Sequence, residues 1–382
     1  MKIGVITPYF YPAWEYGGTP RAAYALSQAL AARGHDVRVL TTGPCSETKN
    51  VNGIDVRYYR NLSNYLAFRH RLFLPRGFRK ELRRQIADRD VLHIHEFRST
   101  LTIPTARVAK EISAPYLISP HGGLRYLGKR GFKRAFDTMW GQRILENAAG
   151  VLVLSEREKN DALAFGMPPA RIYRLRNAID PTDYLRLPQR GSFRTRWNIR
   201  AGKIILFLGR MNHIKGIDLL LEAYSSAYED FDDVQLVLAG PDEGGADHAG
   251  GSGTVLMTGF LDQQAKLEAL VDSDVVVLPS RSEASPIVLY EALLCRRPVV
   301  VSSACELPVT DPFGHGIAQF ESLNVADLRE KLLFALSDPH LSDNATVGRD
   351  FVLREFSPDM VAGLAERIYE EAVFRGSKLQ RV

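Results

Sequence analysis

The chain has 382 residues, 45% of them hydrophobic, and a formal net charge of +5; at about 150 residues per domain this is enough for two hydrophobic cores. Three scattered cysteines, Cys45, Cys295 and Cys305, argue against a disulfide framework and for a reducing compartment. No window has the length of a membrane-spanning helix, and Met1–Ile6 reads as a short strand running into Pro8 rather than a signal peptide, so the expected location is cytoplasmic.

Strands alternate with helical patterns throughout, which predicts α/β architecture with parallel, doubly wound sheets. In the first half, strands are expected at 3–7, 36–41, 91–95, 116–119 and 150–154. A polar stretch with little apolar periodicity, 181–200, reads as a linker between an N-terminal domain, 1–180, and a C-terminal domain, 201–356. Second-half strands are expected at 203–208, 234–239, 255–258, 275–279 and 298–302, with an amphipathic tail over 357–382.

Two loops carry chemistry. The apolar strand Ile204–Leu208 runs into Gly209-Arg210-Met-Asn-His-Ile-Lys215-Gly216 before an amphipathic helix. Two cations at the carboxyl end of a strand sit where open α/β sheets bind ligands, and they can neutralise a leaving diphosphate without a metal. Further on, Val275–Leu278 reads as a buried strand and Pro279–Ser282 as the turn leaving it. Ser285 suits an N-cap and Pro286 the first helical position, so the amides of Ile287 and Val288 would face a phosphate at the positive end of the helix. Glu283 precedes that mouth and Glu291 follows it, about 7 to 8 Å further along the axis at about 1.5 Å per residue. One carboxylate could meet sugar hydroxyls and the other a ribose, although a solvated helix face gives the same spacing.

From these residues outward the chain resembles the nucleotide-sugar glycosyltransferases of group four, glycosyl transferases group 1, which are retaining enzymes of the GT-B fold. The resemblance takes in Tyr11-Pro12, Gly17-Gly18, Arg33-Gly-His-Asp-Val37, Asp90-Val-Leu-His93, His121-Gly122, Gly209-Arg210, Lys215-Gly216, Gly240, Gly259, Pro279-Ser280, the glutamate pair and Pro298-Val-Val300. It implies two Rossmann-like domains facing across a cleft, with the last helix returning to the first domain. It also implies that Arg210 and Lys215 grip the diphosphate, Glu283 the sugar and Glu291 the ribose. Gly17, Gly18, Gly209 and the backbone of Phe260 and Leu261 would complete the donor site, and His121 would lie beside the reacting sugar. No cofactor or metal is implied, since the nucleoside-diphosphate sugar is a substrate. Five positions depart from the pattern: Pro286, Ala178 and Arg296 replace glycines, and Cys305-Glu306 replaces a Gly-Gly pair.

The expected acceptor is a glycan or a lipid-linked acceptor, met by the loops at Gly17-Gly18, 96–99 and 121–126. Between Arg69 and Arg84, cations interleave with Leu72, Phe73, Leu74, Phe78 and Leu82, a composition suited to an anionic membrane surface as well as to a solvated face. Lys129–Arg134 forms a second basic cluster, and no motif supports nucleic-acid binding. A dehydrogenase is disfavoured because no G-x-G-x-x-G turn follows the first strand. A non-catalytic sugar-nucleotide or glycan-binding protein would keep the same cleft. His93 and His95 share one face of a strand without a third ligand, which fits core or site-lining histidines better than a metal site.

Overall fold

A computed structural model describes residues 1–126, 130–226, 233–245 and 255–379. Lys129, in the second basic cluster, and the last three residues of the expected tail lie outside the described residues. The chain forms two compact units, Met1–Ala178 with Pro358–Val382, and Ile179–Ser357.

The first unit holds an eight-stranded sheet built from β1 (Lys2–Ile6), β2 (Asp36–Gly43), β3 (Glu47–Val51), β4 (Ile54–Arg60), β5 (Val91–His95), β6 (Tyr116–Ser119), β7 (Gly150–Val153) and β8 (Ile172–Arg174). Their spatial order is β3-β4-β2-β1-β5-β6-β7-β8. Only β3 runs antiparallel, paired with β4 through a turn at Asn52-Gly53, both of which have positive φ. That dipeptide is a strong short-range hairpin signal because both central residues of a primed turn need positive φ. The central strands β1, β5, β6 and β7 are almost wholly buried, as expected for strands covered by helices on both faces. The helix Pro358–Leu379 packs into this core through Val361, Ala362, Ala365, Ile368 and Tyr369. Arg33 anchors it by a two-nitrogen contact to the carboxylate of Glu366, at 2.7 and 2.8 Å.

Among the described residues the second unit has six parallel strands: β9 (Lys203–Leu208), β10 (Val234–Ala239), β11 (Val255–Gly259), β12 (Val275–Leu278), β13 (Val299–Ser302) and β14 (Ile317–Phe320). Their order, β11-β10-β9-β12-β13-β14, places the topological switch between β9 and β12. The segment 181–200, expected to be a linker, is instead folded into this unit. Tyr184 and Phe193 are core residues, and the carboxylate of buried Asp272 accepts the backbone N–H of Gly191 at 2.5 Å and of Arg194 at 2.9 Å. Leu187, Trp197 and Ile199 also pack against this core, and these scattered apolar anchors do not produce a periodic pattern.

Candidate active site

In an open parallel sheet, ligands bind beyond the carboxyl ends of the strands at the switch point. In the second unit the loops at that point are the two that the sequence singles out, Gly209–Gly216 after β9 and Pro279–Pro286 after β12. They are tied to each other. The Arg281 N–H donates to the Ile214 carbonyl at 2.8 Å, and its guanidinium reaches the His213 carbonyl at 2.7 Å and both Asp218 oxygens at 2.8 and 2.6 Å. Gly216 adopts φ 69°, and a Cβ there would lie 2.1 Å from the Pro279 carbonyl oxygen, so glycine permits the close approach of the two loops. Gly209 and Gly240 meet in the same way, a Cβ on Gly240 falling 1.9 Å from the Gly209 carbonyl oxygen.

The two cations do not stand bare. Arg210 Nη1 donates to both oxygens of Glu243, at 3.1 and 3.0 Å. Asn212 Nδ2 donates to Glu243 at 2.9 Å, while its Oδ1 accepts the N–H groups of Ile214 and Lys215 and so caps the 3₁₀ turn His213–Lys215. Glu243 therefore orients Arg210 directly and the Lys215 backbone through Asn212. Lys215 Nζ contacts the carboxylate of Glu283, both side chains being partly exposed, at 25% and 18%. Ser280 Oγ also donates to Glu283, at 3.4 Å.

The helix Ile287–Leu294 begins one residue later than expected. Pro286, with ψ 109°, is the N-cap and makes no side-chain cap, while the hydroxyl of Ser285 lies 3.2 Å from that of Tyr290. The predicted Ser285 cap is thus corrected. The amides of Ile287 and Val288 begin the helix, where no intrahelical partner exists for them. At the far end, Glu291 is only 4% exposed. Its Oε1 accepts Lys266 Nζ at 2.5 Å and the Tyr184 hydroxyl at 2.9 Å, and Lys266 Nζ also reaches that hydroxyl at 3.2 Å. Neither partner was singled out from the sequence. Gly259, the last residue of β11, has φ 69°, and after it Phe260 is 51% exposed and Leu261 is buried.

The first unit gathers its own set of loops. Gly17, with φ 105°, caps the helix Gly18–Ala32. Glu96 follows β5 with φ 75° and accepts the hydroxyl of Tyr9. His121 follows β6, and its Nε2 lies 2.8 Å from His95 Nδ1, with the two rings stacked. His93 stacks on His95 and is bonded to the Tyr369 hydroxyl at 2.7 Å and Ser119 Oγ at 2.8 Å. Burial pushes His93 down to about 3 and His121 to about 4, and holds His95 well below its ordinary value, so all three rings are neutral at pH 7. Among the described residues no group of three or more His, Cys, Asp or Glu is arranged to hold a metal. Arg98 organises the segment 121–126, donating to the Leu124 carbonyl at 3.0 Å while paired with Asp137 at 2.6 Å.

The basic segment 69–84 divides. Phe73, Phe78 and Leu82 are core residues, which leaves Arg79, Lys80, Arg83 and Arg84 outward on the helix Phe78–Ile86 and Leu72 exposed. Among the described residues no helix is long and apolar enough to cross a membrane.

These loops sit on two parallel-sheet α/β units of the GT-B fold, and the sequence patterns agree. That of Glycosyltransferase Family 4 matches residues 16–183 and that of Glycosyl transferases group 1 matches residues 190–347. The chain belongs to the group 1 glycosyltransferases, and it is a transferase enzyme. It is 29% identical to a phosphatidyl-myo-inositol mannosyltransferase of Mycobacterium leprae, over 100% of this chain and 99% of the relative. Among solved structures it resembles sucrose-phosphate synthase from Thermosynechococcus elongatus, with TM-score 0.78, 20% identity and 97% and 98% of the two chains covered. It also resembles Anabaena HepE in complex with UDP and glucose, with TM-score 0.75, 15% identity and 97% and 100% covered.

Proposed function

We propose that the protein transfers a hexose from a nucleoside-diphosphate sugar to a glycan or lipid-linked acceptor, with retention of configuration and without a metal. The observation that carries this reading is the meeting of Lys215 and Glu283 at the switch point, with Arg210 and the amide end of the helix Ile287–Leu294 on the same two loops. As the glycosidic bond breaks, negative charge builds on the leaving diphosphate. Arg210, Lys215 and the helix end would bind that charge more tightly in the transition state than in the ground state, and this difference lowers the barrier. Glu283, now in contact with Lys215, would take the sugar hydroxyls, and Lys215 would turn to the phosphate.

In this reading Glu291 meets the ribose as a carboxylate whose orientation Lys266 and Tyr184 fix, the backbone of half-exposed Phe260 and buried Leu261 borders the base, and Gly17-Gly18 and His121 face the reacting sugar. Retention is assigned to a front-face reaction in which the departing phosphate helps to take the acceptor proton. The mannosyltransferase relative favours a lipid-linked acceptor, and the outward cations 79–84 offer such an acceptor an anionic surface to dock on. A cytoplasmic location fits the free cysteines.

The test is a panel of nucleoside-diphosphate sugars scored first by thermal shift, since a bound ligand raises stability by mass action. The best donor is then carried into transfer or slow hydrolysis in EDTA, with the anomer of the new product read by NMR. Retained configuration and undiminished rate in EDTA are expected; an inverted product, or a strict requirement for added Mg²⁺ or Mn²⁺, contradicts the proposal.

A further inference from the structure

His121 stands on a turn that an ordinary residue avoids. His121 and Gly122 have φ 50° and 76°, and the Gly123 N–H closes the turn on the Pro120 carbonyl at 2.8 Å. Positive φ at both central residues marks a primed turn, and a residue with a Cβ pays about 1–2 kcal/mol for the left-handed conformation. Something outside the turn must over-determine it. The ring is held by His95. The backbone is held by Glu158, whose Oε1 accepts the Gly122 N–H at 2.5 Å while Oε2 accepts the Leu154 N–H at 2.8 Å.

Glu158 is three residues after Ser155, the N-cap of the helix Glu156–Ala164, and its own N–H donates to Ser155 Oγ at 3.2 Å. That is the spacing of a capping box, in which the glutamate would reach back to the N–H of the cap residue. Here it does not. Its carboxylate spans from the end of β7 to the turn after β6, and at 2% exposure it is almost wholly buried. A carboxyl group buried with, among the described residues, two backbone donors is a costly way to stop a helix from fraying. It is a sound way to fix one amide on each of two neighbouring strand ends.

We propose that Glu158 is a positioning residue for the transfer reaction, acting through the Gly122 amide to present His121 to the reacting sugar. The proposal rests on the role given to His121 above. Burial pushes the Glu158 carboxyl up to about 7, and the acidic fields of Asp161, on its own helix, and Glu96, at the end of β5, add to the shift. Arg125 pairs with Asp161 at 3.4 Å, and His121 is neutral in this range. Ionised, Glu158 accepts both amides. Once protonated, one oxygen carries a hydrogen and no longer serves an N–H equally well. The group therefore holds the turn above pH 7 and loosens it as pH falls through 7.

The experiment compares wild type with Glu158→Gln in three readings: hydrogen exchange at the Gly122 amide, the pH profile of kcat, and donor KM. Gln keeps the size but offers one acceptor oxygen. Exchange at Gly122 should rise about tenfold or more. The kcat should drop about ten- to a hundredfold with donor KM within about threefold, and the wild-type limb near pH 7 should vanish. Unchanged exchange together with an unchanged pH limb overturns the proposal. If Glu158→Gln does not fold, Glu158→Asp, which keeps the charge and loses the reach, should show the same raised exchange, and protection equal to wild type overturns it. His121→Ala separates the two readings. Full turnover in that variant refutes the role of His121 and with it catalytic positioning, whereas Gly122 exchange still judges the hold of Glu158 on the turn.

Discussion

Lys266→Met tests the buried centre of the second unit. The side chains of Lys266 and Glu291 are 6% and 5% exposed and lie 2.5 Å apart. Met matches the length of lysine and fills its space, so the loss is of charge rather than volume. It leaves the Glu291 carboxylate buried with the Tyr184 hydroxyl alone of the two partners, and removing one member of a buried pair costs about 3–5 kcal/mol. In a domain of 150–250 residues each kcal/mol shifts Tm by about 2–4 °C, so the second unit should melt about 6–20 °C lower. Two units need not unfold together, so the transition must be assigned. Trp197 belongs to the second unit, and replacing Trp14 and Trp140 by Phe makes its fluorescence a reporter for that unit. Adding Glu291→Gln should restore at least about 2 kcal/mol by removing the buried charge that has lost its Lys266 partner. A Lys266→Met loss below about 1 kcal/mol, or simple additivity in the double variant, would refute the argument.

Arg296 is in the left-handed conformation, φ 55°, at the residue after the C-cap of the helix Ile287–Leu294. The N–H groups of Arg296 and Arg297 close on the carbonyls of Leu293 and Ala292 at 2.8 and 2.9 Å, the Schellman arrangement that favours glycine. Arg296→Gly should therefore stabilise the second unit by about 0.5–1 kcal/mol in urea unfolding, the conformational relief exceeding the entropy that glycine adds to the unfolded chain; a loss of stability would count against the strain. For the membrane surface, charge reversal at Arg79, Lys80, Arg83 and Arg84 should release the protein from anionic liposomes, at about 1 kcal/mol per cation near the surface. Equal, negligible sedimentation of wild type with anionic and neutral liposomes would leave these side chains as a solvated face.

The strands that flank the site were legible because each is a short, almost uninterrupted apolar run ending in glycine or proline. β9 and β12 coincide with Ile204–Leu208 and Val275–Leu278 to within a residue. The β3–β4 hairpin was not foreseen, although Asn52-Gly53 announces it, because Glu47–Val51 is a polar edge strand with no apolar alternation. Arg210 and Lys215 could be read together because each adjoins a glycine in the loop after one apolar strand, and Glu283 because it follows the turn after the next such strand. Their partners could not. Glu243 lies in a turn that reads as solvent, and Lys266 sits in a helix whose charged residues suggest an exposed face but which is buried from Ala265 to Asp272. Glu158 offered a signal in the Ser-x-x-Glu spacing, but that signal points to a local cap, whereas the bond it makes crosses to another strand end. Sequence spacing reports contacts along one element; the residues that hold a site in place act between elements.

The most direct test of the central claim is the kcat/KM of Lys215→Ala on the donor found by thermal shift, measured beside a fold control by circular dichroism. If Lys215 stabilises the leaving diphosphate, kcat/KM should fall about tenfold to a thousandfold, the equivalent of about 1.4 to 4 kcal/mol of transition-state stabilisation, with the folded state intact. Turnover within about twofold of wild type in a folded Lys215→Ala protein would contradict the account.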